Sequence, residues 1–350
     1  MEIIKQIFTD QNFLGAIIAS IVFILIGFIL RRKNIINEHG KKVINAIIMY
    51  VAIPCMAFCA FMSDFHEEEF LGNILILVFD FVFYLIALLL SELIFIKVNK
   101  NKRRIIGIFV AIGQLTFVST PILKAIYANH ISDVLIPASL MTIAFRFMTY
   151  IYAYLTISGI KMTKETAGKT LKSIFINPIM ICMFSGLLIW LIQNHIFQVN
   201  TNGTNYGFLR IDKTCPALYK IFQFGDSMAT PTCMLMIGVT LGECDFLSAI
   251  KNKLAWFIAA LRTIVIPLII LSLCLVLQAT HLFTFNEYQL AALVIGNGAP
   301  VGAVVAAYCV NFQKEGYLAS DSIFLSTVFC VISIPLCFIL IKLCLTLPIF

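Results

Sequence analysis

Ten apolar runs fill most of this chain, each near the roughly 20 residues that a helix needs to cross a bilayer. They cover 13–30, 43–63, 71–96, 105–127, 134–159, 174–197, 217–242, 254–281, 287–310 and 316–342. An α-helix satisfies its own backbone in hydrocarbon, so runs of this kind predict an all-α polytopic membrane protein. Composition agrees. Of 350 residues 61% are hydrophobic and 12% are charged, where a soluble domain carries about 25% charge.

The short loops between the runs alternate in charge. Arg31, Arg32, Lys33, Lys41 and Lys42 lie in the first loop, and Lys97, Lys100, Lys102, Arg103 and Arg104 in the third. Lys161, Lys164, Lys169 and Lys172 lie in the fifth, Lys251 and Lys253 in the seventh, and Lys314 in the ninth. Even loops are acidic or polar, as in Ser63 to Glu69. Basic loops stay in the cytoplasm, so both termini are expected outside, in a plasma or bacterial inner membrane. The net charge of +7 is then a topology signal and not a nucleic-acid footprint. The first run ends in Arg31-Arg32-Lys33 without a small-residue cleavage site, so it is expected to stay as a helix. The segment 198–216 is rich in Asn, Thr and Gly and reads as an exposed loop, with a glycosylation sequon at Asn202.

Four prolines divide the chain. Pro54 and Pro231 fall in the second and seventh runs, 177 positions apart; Pro121 and Pro300 fall in the fourth and ninth, 179 apart. A nearly common offset describes two five-helix units, 1–160 and 174–350, joined by a basic linker at 161–173. Five is odd, so the second unit enters the membrane inverted. Proline removes a backbone donor and clashes with the preceding turn, so GQLTFVSTPILKAIY (Gly113–Tyr127) and VIGNGAPVGAVVAAYCV (Val294–Val310) are expected to break.

A broken helix in oil leaves bare amides and carbonyls. Half-helix N-termini at such a break carry partial positive charge and suit an anion. The candidate substrate-binding residues are therefore Gln114, Thr116, Ser119, Thr120 and Pro121 at the first break, and Asn297, Gly298, Pro300, Val301 and Gly302 at the second. Small residues at the second break let backbones approach. Intramembrane charges offer coupling sites: Asp226 and Asp80 are the candidates for coupling to H+ or Na+. Asp321 and Lys124 lie near run ends and read as snorkelling side chains. Arg146 and Arg262 read as packing anchors ahead of anion attractors. No metal or organic cofactor is expected, because the 11 cysteines are mostly embedded in apolar runs without a CxxC, and no HExxH occurs.

Several stretches resemble the auxin efflux carrier family: VINAIIMYVAIPCMAF in the second run, STPILKAIYANH after the first break, Asn177-Pro178 with SGLL, GDSMATPTCMLMIGVTLGE, LRTIVIPLIIL, and APVGAVVAAYCVNF followed by ASDSIFLSTVFCVISIPL. The resemblance spans nearly the whole chain. It implies ten helices in two inverted repeats with crossed broken helices four and nine, similar to bile acid–sodium symporters and sodium–proton antiporters. It implies a scaffold of helices one, two, six and seven that forms a homodimer, and a transport domain of helices three to five and eight to ten that moves as an elevator. Plant members export auxin, an indole carboxylate, and bacterial members are assigned as malate or malonate permeases. One position departs: the family carries Asn seven residues before the first crossover proline, and this chain carries Gln114.

The expectation is thus a secondary transporter of a small organic anion, a carboxylate, embedded in lipid and without catalytic or nucleic-acid chemistry. An ion or solute channel is the alternative, since pores also use broken helices. A membrane enzyme lacks a nucleophile–base pair or metal cluster in the sequence.

Overall fold

A computed structural model describes residues 11–65, 67–159, 168, 176–201, 203–243 and 246–347. The linker 161–173, apart from Gly168, and Asn202 of the sequon lie outside the described residues. The helices are α1 (Gln11–Arg32), α2 (Glu38–Ala60), α3 (Glu67–Ile94), α4 (Lys100–Ala111), α5 (Leu115–Ile126), α6 (Ile131–Ser158) and α7 (Pro178–Ile192). After a hairpin of β1 (Gln198–Thr201) and β2 (Thr204–Gly207) come α8 (Ile211–Thr214), α9 (Pro216–Glu243), α10 (Phe246–Lys251), α11 (Lys253–Ala279), α12 (Glu287–Asn297), α13 (Ala303–Asn311) and α14 (Gly316–Cys344). Among the described residues, five helices are long and apolar enough to cross a bilayer: α2, most of α3, α6, α11 and α14. The chain is a polytopic all-α membrane protein. Its outer surface is apolar: Leu85, Leu89 and Leu93, spaced by four along α3, are all exposed.

Local chemistry explains where the helices start and bend. Asparagine caps five of them. Asn37, Asn99, Asn177, Asn252 and Asn286 each accept a hydrogen bond from a first-turn amide, satisfying a donor that the helix cannot. Asn286 forms a reciprocal box with Gln289. Three prolines, Pro54, Pro121 and Pro267, sit two positions after the π-turns at Ile48–Ala52, Leu115–Ser119 and Leu261–Val265. In each case the residue before the proline donates to the carbonyl five back: Ile53 to Ile48, Thr120 to Leu115, Ile266 to Leu261. The widened turn absorbs the strain that the ring would put on a regular helix.

Helices α1 and α9 meet backbone to backbone. A Cβ on Gly27 would collide with the Leu235 carbonyl, one on Gly238 with the Ile24 carbonyl, and one on Gly242 would come 2.8 Å from Arg31 Cβ. Such glycine spacing lets membrane helices reach van der Waals contact along their length. Helix α2 packs on α7 and α9 in the same manner, with Gly186 against Phe58 and Phe61 and Gly225 against Cys55. Helix α3 packs on α4 and α6, while α14 packs on α11 and α13.

The segment 198–216 is more ordered than an exposed loop. Its two strands pair antiparallel, with Gln198 opposite Gly207 and the turn at Gly203 (φ 87°). Arg210, only 1% exposed, locks it down. The guanidinium donates to both carboxylate oxygens of Asp212 at 2.8 Å, to Asp64 at 2.9 Å, to the Ser63 carbonyl at 2.9 Å and to Gln193 at 2.5 Å. Composition hid this, because one arginine supplies the order.

Candidate functional site

The fourth and ninth apolar runs of the sequence are both interrupted. The ninth breaks around Pro300 as expected, whereas the fourth breaks at 112–114, ahead of Pro121, which a π-turn keeps inside the helix that follows. Helix α4 ends at Ala111 and α5 begins at Leu115; α12 ends at Asn297 and α13 begins at Ala303. The two gaps lie against each other as a short antiparallel bridge between Gly113 and Val301. Gln114 N–H donates to the Pro300 carbonyl at 2.8 Å, and Gly302 N–H to the Ile112 carbonyl at 3.1 Å. The Val301 amide donates to Ser326 Oγ at 3.0 Å, and Gln114 Nε2 to the Val301 carbonyl at 3.0 Å. Peptide groups that oil could not satisfy thus satisfy one another.

Arg262, 1% exposed, closes the remainder. Its Nε donates to the Ala299 carbonyl at 3.0 Å and its Nη1 to those of Val110 (3.1 Å) and Ala111 (2.8 Å). A guanidinium at the carboxyl end of α4 answers both the bare carbonyls and the negative end of the helix dipole. A Cβ on Gly113 would collide with this guanidinium and lie 2.9 Å from the Ala299 oxygen.

Several of the residues expected to bind substrate hold this crossing. Asn297 Nδ2 donates to Asp80 Oδ1 at 2.8 Å and to the Leu293 carbonyl at 3.2 Å. Ser119 Oγ donates to the Ile295 carbonyl at 2.8 Å, and Thr120 Oγ1 to the Leu115 carbonyl at 3.1 Å. The Pro121 carbonyl accepts from Thr230 at 3.3 Å, and the Gly298 amide bonds back to Val294 and Ile295. Of the two coupling candidates, Asp226 forms an ion pair with Lys124, whose ammonium also donates to the Asp226 carbonyl at 3.1 Å. Asp80 is fully buried, and its Oδ2 has no hydrogen-bond partner.

Beside the crossing lies a cavity of about 750 Å³, which Gln114, Thr116 and Gly302 line from the expected set. The other walls come from α2 (Asn45, Met49), α6 (Phe145, Arg146, Thr149, Tyr150), α9 (Met236, Ile237, Thr240) and α14 (Asp321, Ile323). It reaches Lys41, Lys42 and Glu243 at the end that bears the basic first loop. Among the buried polar atoms on its walls without a hydrogen-bond partner are three donors, Thr116 Oγ1, Arg146 Nε and Thr149 Oγ1, besides Glu243 Oε1, which is ion-paired with Arg31. The N-terminus of α13 meets the same space at Gly302 and Ala303, without a side-chain cap. Buried donors are normally satisfied. A cavity wall that carries several unsatisfied donors, one of them a cation, has room and hydrogen-bonding capacity for an acceptor.

Arg146, Thr149 and Asp321 were not among the expected binding residues. The signal for α6 is a polar stripe, Ser139, Thr142, Arg146 and Thr149, at helical spacing within an apolar span. Asp321 does not snorkel to the surface: it is 8% exposed, and its Oδ2 accepts from Asn252 at 2.8 Å. Lys124 is likewise held inside by Asp226.

A multispan helical fold interrupted at two touching breaks beside a polar cavity defines a membrane transporter. The family model described as "membrane transport protein" matches residues 13–338, and the chain belongs to that family, the one that includes the auxin efflux carriers. No curated protein matches the chain.

Proposed function

We propose that the protein is a secondary active transporter that carries a small organic anion, a carboxylate, through an elevator-type alternating-access cycle. The observation that carries this reading is the cavity beside the crossing with unpartnered buried donors at Thr116, Arg146 and Thr149. An anion supplies the acceptors that these groups lack, and the uncapped start of α13 adds partial positive charge.

In this reading the chain forms ten spans in two inverted five-helix repeats, with α4–α5 and α12–α13 as the two broken ones. Helices α1, α2, α7 and α9 form the fixed scaffold and the homodimer contact; α3–α6 and α11–α14 move. The basic loops are cytoplasmic and both termini lie outside, in the plasma or bacterial inner membrane. The cavity then opens inward. On the outer side, the Lys124–Asp226 pair and the Thr230–Pro121 bond hold α5 against α9. Transport couples to H+ or Na+ through Asp80 or Asp226.

The test is uptake of radiolabelled carboxylates into proteoliposomes, with pH and sodium gradients varied separately. Saturable uptake with counterflow is expected, reduced by Gln114→Ala and by Asn297→Ala. Unitary currents in planar bilayers would establish the channel instead, and unchanged uptake in both variants would remove the crossing from the substrate path.

A further inference from the structure

The cavity also constrains the charge of its guest. Resting on the transport reading above, we infer that the substrate carries a single carboxylate on an otherwise uncharged body. Arg146 holds that carboxylate, and Asp321 rejects a second anionic group.

The argument begins with the missing counter-charge. Arg146 is 2% exposed, yet no carboxylate of the described residues lies within ion-pairing distance of it. Its guanidinium carbon lies 5.8 Å from the centroid of the Tyr150 ring, a contact that helps a cation but does not neutralise it. By contrast, Arg210 and Lys124, also inside the protein, both have carboxylates. Arg262, equally buried and also without a carboxylate, is met by three backbone carbonyls instead. Arg146 has the Tyr150 ring beside it and an Nε without a partner, so a guest carboxylate would supply the counter-charge it lacks. Thr149 lies one turn further along α6 on the same face, and Thr116 stands on the first turn of α5. Both hydroxyls lack acceptors. One guanidinium and two hydroxyls suit the two oxygens of one carboxylate.

The remaining charges of the cavity limit the guest to one such group. Toward the mouth, Lys41 is paired with Glu243 and Glu38 with Arg31, while Lys42 is exposed. Inside, the charged wall residues are Arg146 and Asp321. Asp321 has its Oδ2 on Asn252 and presents negative charge toward the same space. The uncharged part of the wall mixes apolar side chains (Ile112, Phe117, Phe145, Met236, Ile237) with amide and hydroxyl groups (Gln114, Thr240, Thr327), and none of these is a cation. A dicarboxylate bound by Arg146 would put its second charge among these side chains or near Asp321. Neither place offers a cation.

The experiment measures binding by calorimetry to the purified full chain in nanodiscs at neutral pH, with two matched sets of probes. One set is hexanoate, adipate and norleucine. The other is 3-phenylpropanoate, 3-(4-carboxyphenyl)propanoate and phenylalanine. Each monocarboxylate should bind about tenfold or more tightly than its dicarboxylate or amino acid. Arg146→Gln should weaken the monocarboxylate by about tenfold or more, with Arg146→Lys recovering part of the loss. Asp321→Asn keeps a partner for Asn252 and should narrow the gap between mono- and dicarboxylate. Should Arg146→Gln fail to fold, the Asp321→Asn comparison still decides. Preference for the dicarboxylate or the amino acid, or full binding by Arg146→Gln, overturns the inference and leaves the transport reading intact. Absence of binding by every probe, together with absence of uptake, overturns both.

Discussion

Arg262→Met tests whether one guanidinium holds the crossing together. The wild-type side chain makes three hydrogen bonds to carbonyls, at 2.8, 3.0 and 3.1 Å, in a place that water does not reach. A hydrogen bond involving a charged group contributes about 1.5–3 kcal/mol, so three of them amount to about 4–9 kcal/mol gross. Relief of the buried charge offsets several kcal/mol of that. Methionine matches the volume but leaves the Val110, Ala111 and Ala299 oxygens bare. The net loss is therefore about 3–5 kcal/mol, as for breaking other buried polar pairs. In a detergent melting curve that is a fall of roughly 5–10 °C. Arg262→Lys retains the charge and reaches fewer oxygens, so it should lose about half as much. Melting of Arg262→Met within about 2 °C of the parent, with unchanged uptake, would refute the carbonyl-capping argument.

Three further perturbations have defined outcomes. Gly113→Ala puts a methyl group where the Arg262 guanidinium lies; it should reduce proteoliposome uptake by about tenfold or more, since a misplacement near 1 Å costs about that much in a positioned site. Gly238→Val forces α1 away from α9 and should lower stability by about 1–3 kcal/mol, read as earlier aggregation in a size-exclusion thermal ramp. Arg210→Gln removes the bonds that hold the outer hairpin to Asp64 and Asp212. It should cost about 3–5 kcal/mol locally and open the 198–216 segment to limited proteolysis, whereas an unchanged cleavage rate would show that the hairpin stands without it.

The sequence made the helices legible because hydrocarbon allows a long apolar run few other solutions. It made the second break legible through Pro300, which lies in the gap, whereas Pro121 rides in α5 behind a π-turn and the first gap opens ahead of it, at 112–114. Residue roles at the breaks were harder to read. Ser119, Thr120 and Asn297 are donors beside exposed peptide groups, and a donor serves the backbone or a guest with the same chemistry. Only distances separate the two uses: all three bond to the protein itself, while Thr116 Oγ1 has no such partner. Arg146 and Arg262 look alike in sequence, each a lone cation in an apolar run. One meets three carbonyls and the other meets a cavity, and that difference is set by tertiary packing. Asp321 and Lys124 were placed near run ends by hydropathy, which has no view of a cavity or of a neighbouring helix.

The bridge at Gly113 and Val301 bears on how the protein is made. The peptide groups at Ile112 and Gln114 bond to Gly302 and Pro300, which the ribosome has yet to add when the first half enters the membrane. At about 5–20 residues per second, roughly ten to forty seconds pass between the two events. During that interval the first half carries backbone groups without their final partners, so a nascent chain halted before Pro300 should remain open to translocon contacts or quality-control proteases until the second half arrives.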